Sequence, residues 1–199
     1  MRLLIICGLS LSLLLSACFF GSTLNFTEAD AVGKPNLVPN GGFEHGIYGI
    51  YKRDTLPEHW MVLQTPRQPD ASAWEEGNGY NSARYIRLNA GRTRLSLISD
   101  SFDLIPQAGY YNHVWLKTDL DNGEEVECRF IAFDVEGNTV NQFTQRVVPS
   151  AKWTRVEFNA AFFKKTARYG RIMVVVQPQP ERRIWIDNIG SYNVLSYSD

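Results

Sequence analysis

The residues able to do covalent or proton chemistry in this chain are spaced against it. Glu75-Glu76 and Glu124-Glu125 are adjacent carboxylate pairs, and neighbours on a strand point to opposite faces. Glycoside hydrolysis needs two carboxyl groups facing one cleft, about 5–5.5 or 6.5–9.5 Å apart. His45, His59 and His113 lack the spacing of a metal-ligating set, and there is no Gly-x-Ser-x-Gly elbow or phosphate-cradling loop. The pairs read as solvated turns, and no enzyme activity is expected. What remains is non-covalent chemistry, carried by rings beside polar groups. Trp74 and Tyr80 flank the first carboxylate pair, Tyr85 and Arg87 alternate along one segment, and His113, Trp115 and Lys117 along another, with Arg129 in the strand that follows. Such rings pack on apolar ligand faces while their neighbours supply hydrogen bonds. The competing role for strand aromatics such as Tyr85 and Trp115 is the core. Trp74, in a polar loop, is the strongest candidate for ligand contact.

The elements that must position these residues begin after a leader. Met1-Arg2 is a short positive start and Leu3–Leu15 an apolar run of 13 residues, the size of a signal-peptide core and short of the roughly 18 needed to span a bilayer. It ends in Leu15-Ser16-Ala17-Cys18, which resembles a bacterial lipobox; the alternative is an ordinary secretory signal. On the lipobox reading, residues 1–17 are removed and Cys18 carries the acyl chains. The protein is then expected on the cell envelope, at the outer membrane where there is one, with the membrane as a partner. Cys7 leaves with the leader and Cys18 is modified, so Cys128 is left without a disulfide partner. It lies in a strand-like run and reads as a buried thiol. Residues 18–35 form the lipidated cysteine and a polar linker.

Residues 36–195 make one domain, long enough to bury roughly 70% of its unfolded surface. Net charge is −1, and no basic stripe is present, which excludes nucleic acid as an expected partner. Short runs alternate in the strand period, bounded by turn residues: Trp60–Leu63, Ser82–Leu88, Arg94–Ser99, Tyr110–Lys117, the run around Cys128, Thr139–Val148, Trp153–Phe158, Arg171–Gln177 and Ile184–Tyr192. Tyr111, His113, Trp115 and Lys117 share one face of their strand. Thr65–Asn81 reads as a long loop, and Ala160–Tyr169 as room for a helical turn. Nine or ten short strands with almost no helix predict an all-β, antiparallel β-sandwich.

The motif Asn36-Leu37-Val38-Pro39-Asn40-Gly41-Gly42-Phe43-Glu44 resembles the opening of carbohydrate-binding modules of families 4, 9, 16 and 22. Pro57-Glu58-His59-Trp60, Ser82–Leu88, Tyr110–Lys117, Trp153-Thr154-Arg155-Val156 and Ile184-Trp185-Ile186-Asp187-Asn188-Ile189 resemble later motifs of the same modules, in the same order. The resemblance covers about residues 36–194 and implies a galactose-binding-like jelly roll. It also implies a poly- or oligosaccharide partner, held by the rings and polar groups named above. A structural Ca²⁺ is implied too, bridging the first segment and the last strand through Glu44 and Asp187. Against calcium stands the reading that both carboxylates are solvated or hydrogen-bonded to backbone amides. Against a sugar site stands a structural or protein-interaction module on the same fold.

Overall fold

The alternating runs become strands whose inward residues meet in one core. The computed structural model describes residues 25–46, 56–66, 68, 70–120 and 122–196. Eleven strands are present among them: β1 (Trp60–Gln64), β2 (Ser72–Glu76), β3 (Arg84–Ala90), β4 (Leu95–Ser99), β5 (Phe102–Asp103), β6 (Ala108–Thr118), β7 (Val126–Phe133), β8 (Thr139–Val147), β9 (Thr154–Ala160), β10 (Tyr169–Val176) and β11 (Arg182–Ser196). One helical turn, α1 (Glu28–Ala31), precedes them. One sheet runs β1-β4-β10-β7-β8, with β5 also paired to β10, and the other runs β2-β3-β11-β6-β9. Every pairing is antiparallel. The expected antiparallel sandwich is the observed fold.

Leu95, Leu97, Cys128, Phe130, Val174 and Val176 of the first sheet face Ile86, Leu88, Val114, Leu116, Ile184 and Ile186 of the second, all fully buried. Period-2 alternation sends their neighbours to the outer faces. Valine-rich β10 sits mid-sheet, as its composition predicts.

The motif at residues 36–44 stitches the chain's opening to its last strand. Asn36 Nδ2 donates to the Ile189 carbonyl at 2.9 Å, and Leu37 and Ser191 complete the seam through Leu37 N to Ser191 O and Ser191 N to Asn36 Oδ1. Ile189 N donates to Gly41 O at 2.8 Å, and a Cβ on Gly41 would sit 2.1 Å from Ile189 O. Only glycine allows that approach. Phe43 is fully buried, edge-on to Trp60.

Two expectations change. The stretch expected as a long loop contains β2, which pairs with β3 and brings Trp74 opposite Ile86. The region after Ala160 holds turns and no helix. The described part of the expected linker, 25–35, lies on the sandwich. Phe26 rests where a Cβ on Gly109 would meet it at 2.5 Å, Glu28 pairs with Arg155 at 2.6 Å, and Ala31 is buried. Cys18 lies outside the described residues.

Candidate functional site

The outer face of the β2-β3-β11-β6-β9 sheet gathers most of the ring and charge candidates. Arg87, Trp185 and Lys117 stand side by side across β3, β11 and β6. Their chain neighbours Ile86, Leu88, Ile184, Ile186, Leu116 and Thr118 point inward and are buried. Trp153, just ahead of β9, extends the row. The Lys117 ammonium sits 5.0 Å from the Trp185 ring centroid and 5.5 Å from that of Trp153, a double cation–π contact. Tyr85 meets Trp153 edge-on at 6.3 Å. All of these side chains are half-buried, leaving part of each ring open to solvent. Burial, then the Glu75 carboxylate, holds the Tyr85 hydroxyl above the usual phenol range.

A loop formed by residues 77–83 folds back over this face and divides it. Its anchor is Asp187, fully buried at a β-bulge of β11. Asp187 Oδ2 accepts from Tyr80 N and from Ser82 Oγ, both at 2.5 Å, and Oδ1 accepts from Asn188 N at 2.7 Å. Gly79 is required there, because a Cβ would stand 2.6 Å from Asp187 Oδ2. Glu44 grips the other end of the loop, its Oε1 accepting from Ala83 N at 2.9 Å and Arg84 N at 3.1 Å. Burial pushes the Asp187 carboxyl up to about 6 against three hydrogen bonds that lower it, and the Glu44 charge adds to the rise. Glu44, exposed, and Asp187, buried, thus hold the two ends of one loop, near enough for the charge of the first to be felt by the second. Oxygen donors of that kind suit a hard divalent cation. Backbone amides and a hydroxyl already satisfy much of the pair.

With the loop in this position Tyr80 lies on Trp115, ring centroids 3.3 Å apart and planes 16° from parallel. Beyond that stack the face is crossed by Arg155, which pairs with Glu28 at 2.6 Å and Glu157 at 2.9 Å. Tyr111 OH donates to the same Glu157 oxygen at 2.6 Å, and burial with that carboxylate raises its pKa. His113 is buried, its Nε2 3.3 Å from Asn188 Oδ1, and desolvation lowers its pKa. Glu28, Ala31 and Gly33 of the N-terminal segment border a cavity of about 280 Å³ with Tyr111, His113 and Tyr192. The open part of the face is therefore the Trp153–Lys117–Trp185–Arg87 side. There a cavity of about 780 Å³ is lined by Glu75, Arg87, Asn89, Gly91, Glu181 and Arg183, among others. Arg87 Nε donates to Glu75 Oε1 at 2.6 Å, and Arg87 also bonds Asn89 Oδ1.

Tyr80, Tyr85, Arg87, His113, Trp115 and Lys117 are thus brought to one face, with Trp115 covered and His113 buried. Two candidates are not there. Trp74 is 7% exposed and points into the core from β2, its Nε1 donating to Phe43 O at 2.9 Å. Its polar neighbours Glu75 and Glu76 disguise a strand whose inward position is the tryptophan. Arg129 lies on β7, in the opposite sheet, and its guanidinium is engaged by Glu127. Strands β6 and β7 follow one another in sequence but sit in different layers, so adjacency along the chain misleads. Trp153 and Trp185 are the residues missed as ligand candidates. The signal for Trp185 was available: it alternates out of phase with Ile184 and Ile186.

No protein-family model and no curated protein matches the chain. Its fold does match solved structures. The enzymatically active domain of tailspike protein 4 from bacteriophage CBA120 superposes with a TM-score of 0.62 at 16% identity, over 79% of this chain and 21% of that one. This chain thus spans about a fifth of the tailspike domain. A family 16 carbohydrate-binding module superposes with a TM-score of 0.57 at 17% identity, over 79% of this chain and 100% of the module. A family 61 module, solved in complex with β-1,4-galactotriose, gives 0.51 at 15% identity, over 80% and 99%. The chain has the antiparallel β-sandwich fold of the carbohydrate-binding modules.

Proposed function

We propose that this protein binds a poly- or oligosaccharide without catalysis, on the outer face of the β2-β3-β11-β6-β9 sheet, and is held at the cell envelope by lipid on Cys18. The observation that carries the reading is the row of half-open rings, Trp153, Trp185 and Tyr85, set among Lys117, Arg87 and Asn89. Indole faces pack on the C–H faces of pyranose rings, and the fixed polar groups orient hydroxyls. Glu75 is tied to Arg87 and Glu157 to Arg155, an arrangement suited to orienting a ligand more than to moving protons. The sandwich fold shared with carbohydrate-binding modules supports the same reading.

In this proposal Ca²⁺ is structural: Glu44 and Asp187 would hold it, and it would neutralise their mutual repulsion under the 77–83 loop. It takes no part in ligand chemistry.

Affinity electrophoresis of the protein through gels containing different polysaccharides tests the main claim. Retardation on at least one glycan, weakened at least tenfold by Trp185→Ala or Trp153→Ala, is expected; unretarded migration on every glycan rejects it. For the anchor, radiolabelled fatty acid should enter the native protein and be absent from Cys18→Ala.

A further inference from the structure

We infer that the ligand of this face is an acidic glycan whose carboxylate or sulfate group lands on Lys117, between Trp153 and Trp185. The inference rests on the carbohydrate reading above and gives it a substrate class. Every arginine on the face has a carboxylate partner. Arg87 pairs with Glu75 at 2.6 Å, Arg155 with Glu28 at 2.6 Å, and Arg183 reaches Asp119 at 3.8 Å. Lys117 alone, at the centre of the ring platform, has none among the described residues. Its ammonium is instead positioned by two indole faces.

That environment fixes a cation without consuming its hydrogen-bonding capacity. The attraction to a ring is electrostatic and non-directional with respect to the three N–H donors. They stay available to whatever lies over the platform. A neutral hydroxyl would use one donor and leave the charge uncompensated. An anionic group takes donor and charge together, in a bond roughly twice as strong as a neutral one. The carboxylates beside the row are already committed: Asp119, two residues along from Lys117, accepts from Arg183 N at 2.8 Å and lies 3.8 Å from its Nε, and Glu75 is held by Arg87 at 2.6 Å, so neither repels an incoming anion as a free carboxylate would. Glu181, which lines the adjoining cavity, makes no ion pair with Lys117. A sugar packed on Trp185 or Trp153 would carry its acidic substituent within reach of the Lys117 ammonium. Carboxylate and sulfate share this chemistry, and the test separates them.

The mature, acylated protein in detergent is titrated with matched glycan pairs at low salt: polygalacturonate against its methyl ester for the carboxylate, dextran sulfate against dextran for the sulfate. At least tenfold tighter binding to one acidic member than to its neutral partner is expected, falling with added salt. Lys117→Met should remove that preference, Lys117→Arg should keep most of it, and Lys164→Met, on the β9–β10 loop, should leave it unchanged. Equal affinity for acidic and neutral partners overturns the inference while the carbohydrate reading stands. So does an acidic preference that survives Lys117→Met, or that Lys164→Met reduces equally, since either makes the effect one of overall charge. Binding to none of the four glycans overturns the inference, and the carbohydrate reading falls with it only when the affinity gels also show no retardation on any glycan.

Discussion

Tyr80, in the loop between β2 and β3, lies flat on Trp115 because the buried carboxylate of Asp187 on β11 holds the Tyr80 backbone amide. The fold-holding motif and the outer face of this sheet are thus one mechanical unit. Glu44 and Asp187 fasten the 77–83 loop, and the loop decides which rings are open. Trp115, a ring that alternation correctly sends outward, is covered by a residue of the same chain. The open platform is left to Trp153, Trp185 and Tyr85.

Removing that cover should be visible in fluorescence. Tyr80→Ala deletes a stacked pair worth about 0.5–1.5 kcal/mol beyond area burial and exposes Trp115 to water. The emission of the variant should shift to the red and acrylamide quenching should rise, with a small loss of melting temperature. An unchanged quenching constant would mean that Tyr80 does not cover Trp115 in solution.

Trp74 and Trp185 should separate stability from binding. Trp74 fills the core and its indole N–H satisfies Phe43 O, so Trp74→Ala should cost about 3–5 kcal/mol. Trp185 is half-buried on the outer face, so Trp185→Ala should cost less than Trp74→Ala and weaken glycan binding instead. Chemical denaturation beside affinity electrophoresis reads both. A binding defect for a folded Trp74→Ala with full affinity loss, together with normal binding by Trp185→Ala, would reverse the assignment.

The contrast between those two tryptophans shows where the sequence was readable. Strands such as β6 and β10 announce themselves because alternation or a valine run persists over many residues, and the face shared by Tyr111, His113, Trp115 and Lys117 follows directly from period 2. The meeting of the 36–44 motif with the last strand was available only through the family resemblance, and its physical reason, the approach that Gly41 allows, is visible only in the fold. β2 was hidden because it is short, and its solvent-facing carboxylates look like loop residues. The placement of Arg129 needed topology: β6 and β7 are consecutive but belong to different sheets, and no local pattern records a change of layer. The covering of Trp115 by Tyr80 depends on a loop path set by Asp187, more than a hundred residues away.

Calcium should raise the melting temperature and a chelator should lower it. Ligand present at about a hundred times its dissociation constant stabilises by about 2.7 kcal/mol, and Glu44→Gln or Asp187→Asn should abolish the response. Indifference of the wild-type melting curve to both calcium and chelator rejects the site. The Tyr80–Trp115 stack offers a second readout, because a loosened 77–83 loop should raise acrylamide quenching in chelator.

Cys128 should be inert in the native state. It is fully buried in the core and burial pushes its thiol up to about 12, while the reactive species is the thiolate. Ellman's reagent at pH 8 should label it only after denaturant is added. Rapid labelling of the folded protein would show that the β7–β10 core opens readily.

His113 should make stability depend on pH in one direction. Desolvation lowers its pKa from 6.5 in the folded state, while the Asn188 side chain and the carboxylates Glu28 and Glu157 work the other way and Arg155 reinforces the drop. As pH falls below about 6.5, the unfolded chain takes up this proton first. The His113 contribution is therefore complete above the unfolded value and is lost as pH falls through the lower, folded one. His113→Gln carries no such titration, so the melting temperature of the wild type minus that of the variant should be largest near pH 7.5 and should shrink on acidification toward pH 5. Comparing the two proteins cancels the carboxylates that titrate in the same range, Asp187 among them, whose raised pKa acts with the opposite sign. NMR titration of the His113 ring gives the independent check, with a midpoint below 6.5. A difference that stays constant or grows as the pH falls would show that the ring is hydrated beneath the N-terminal segment, and that α1 does not seal this end of the face.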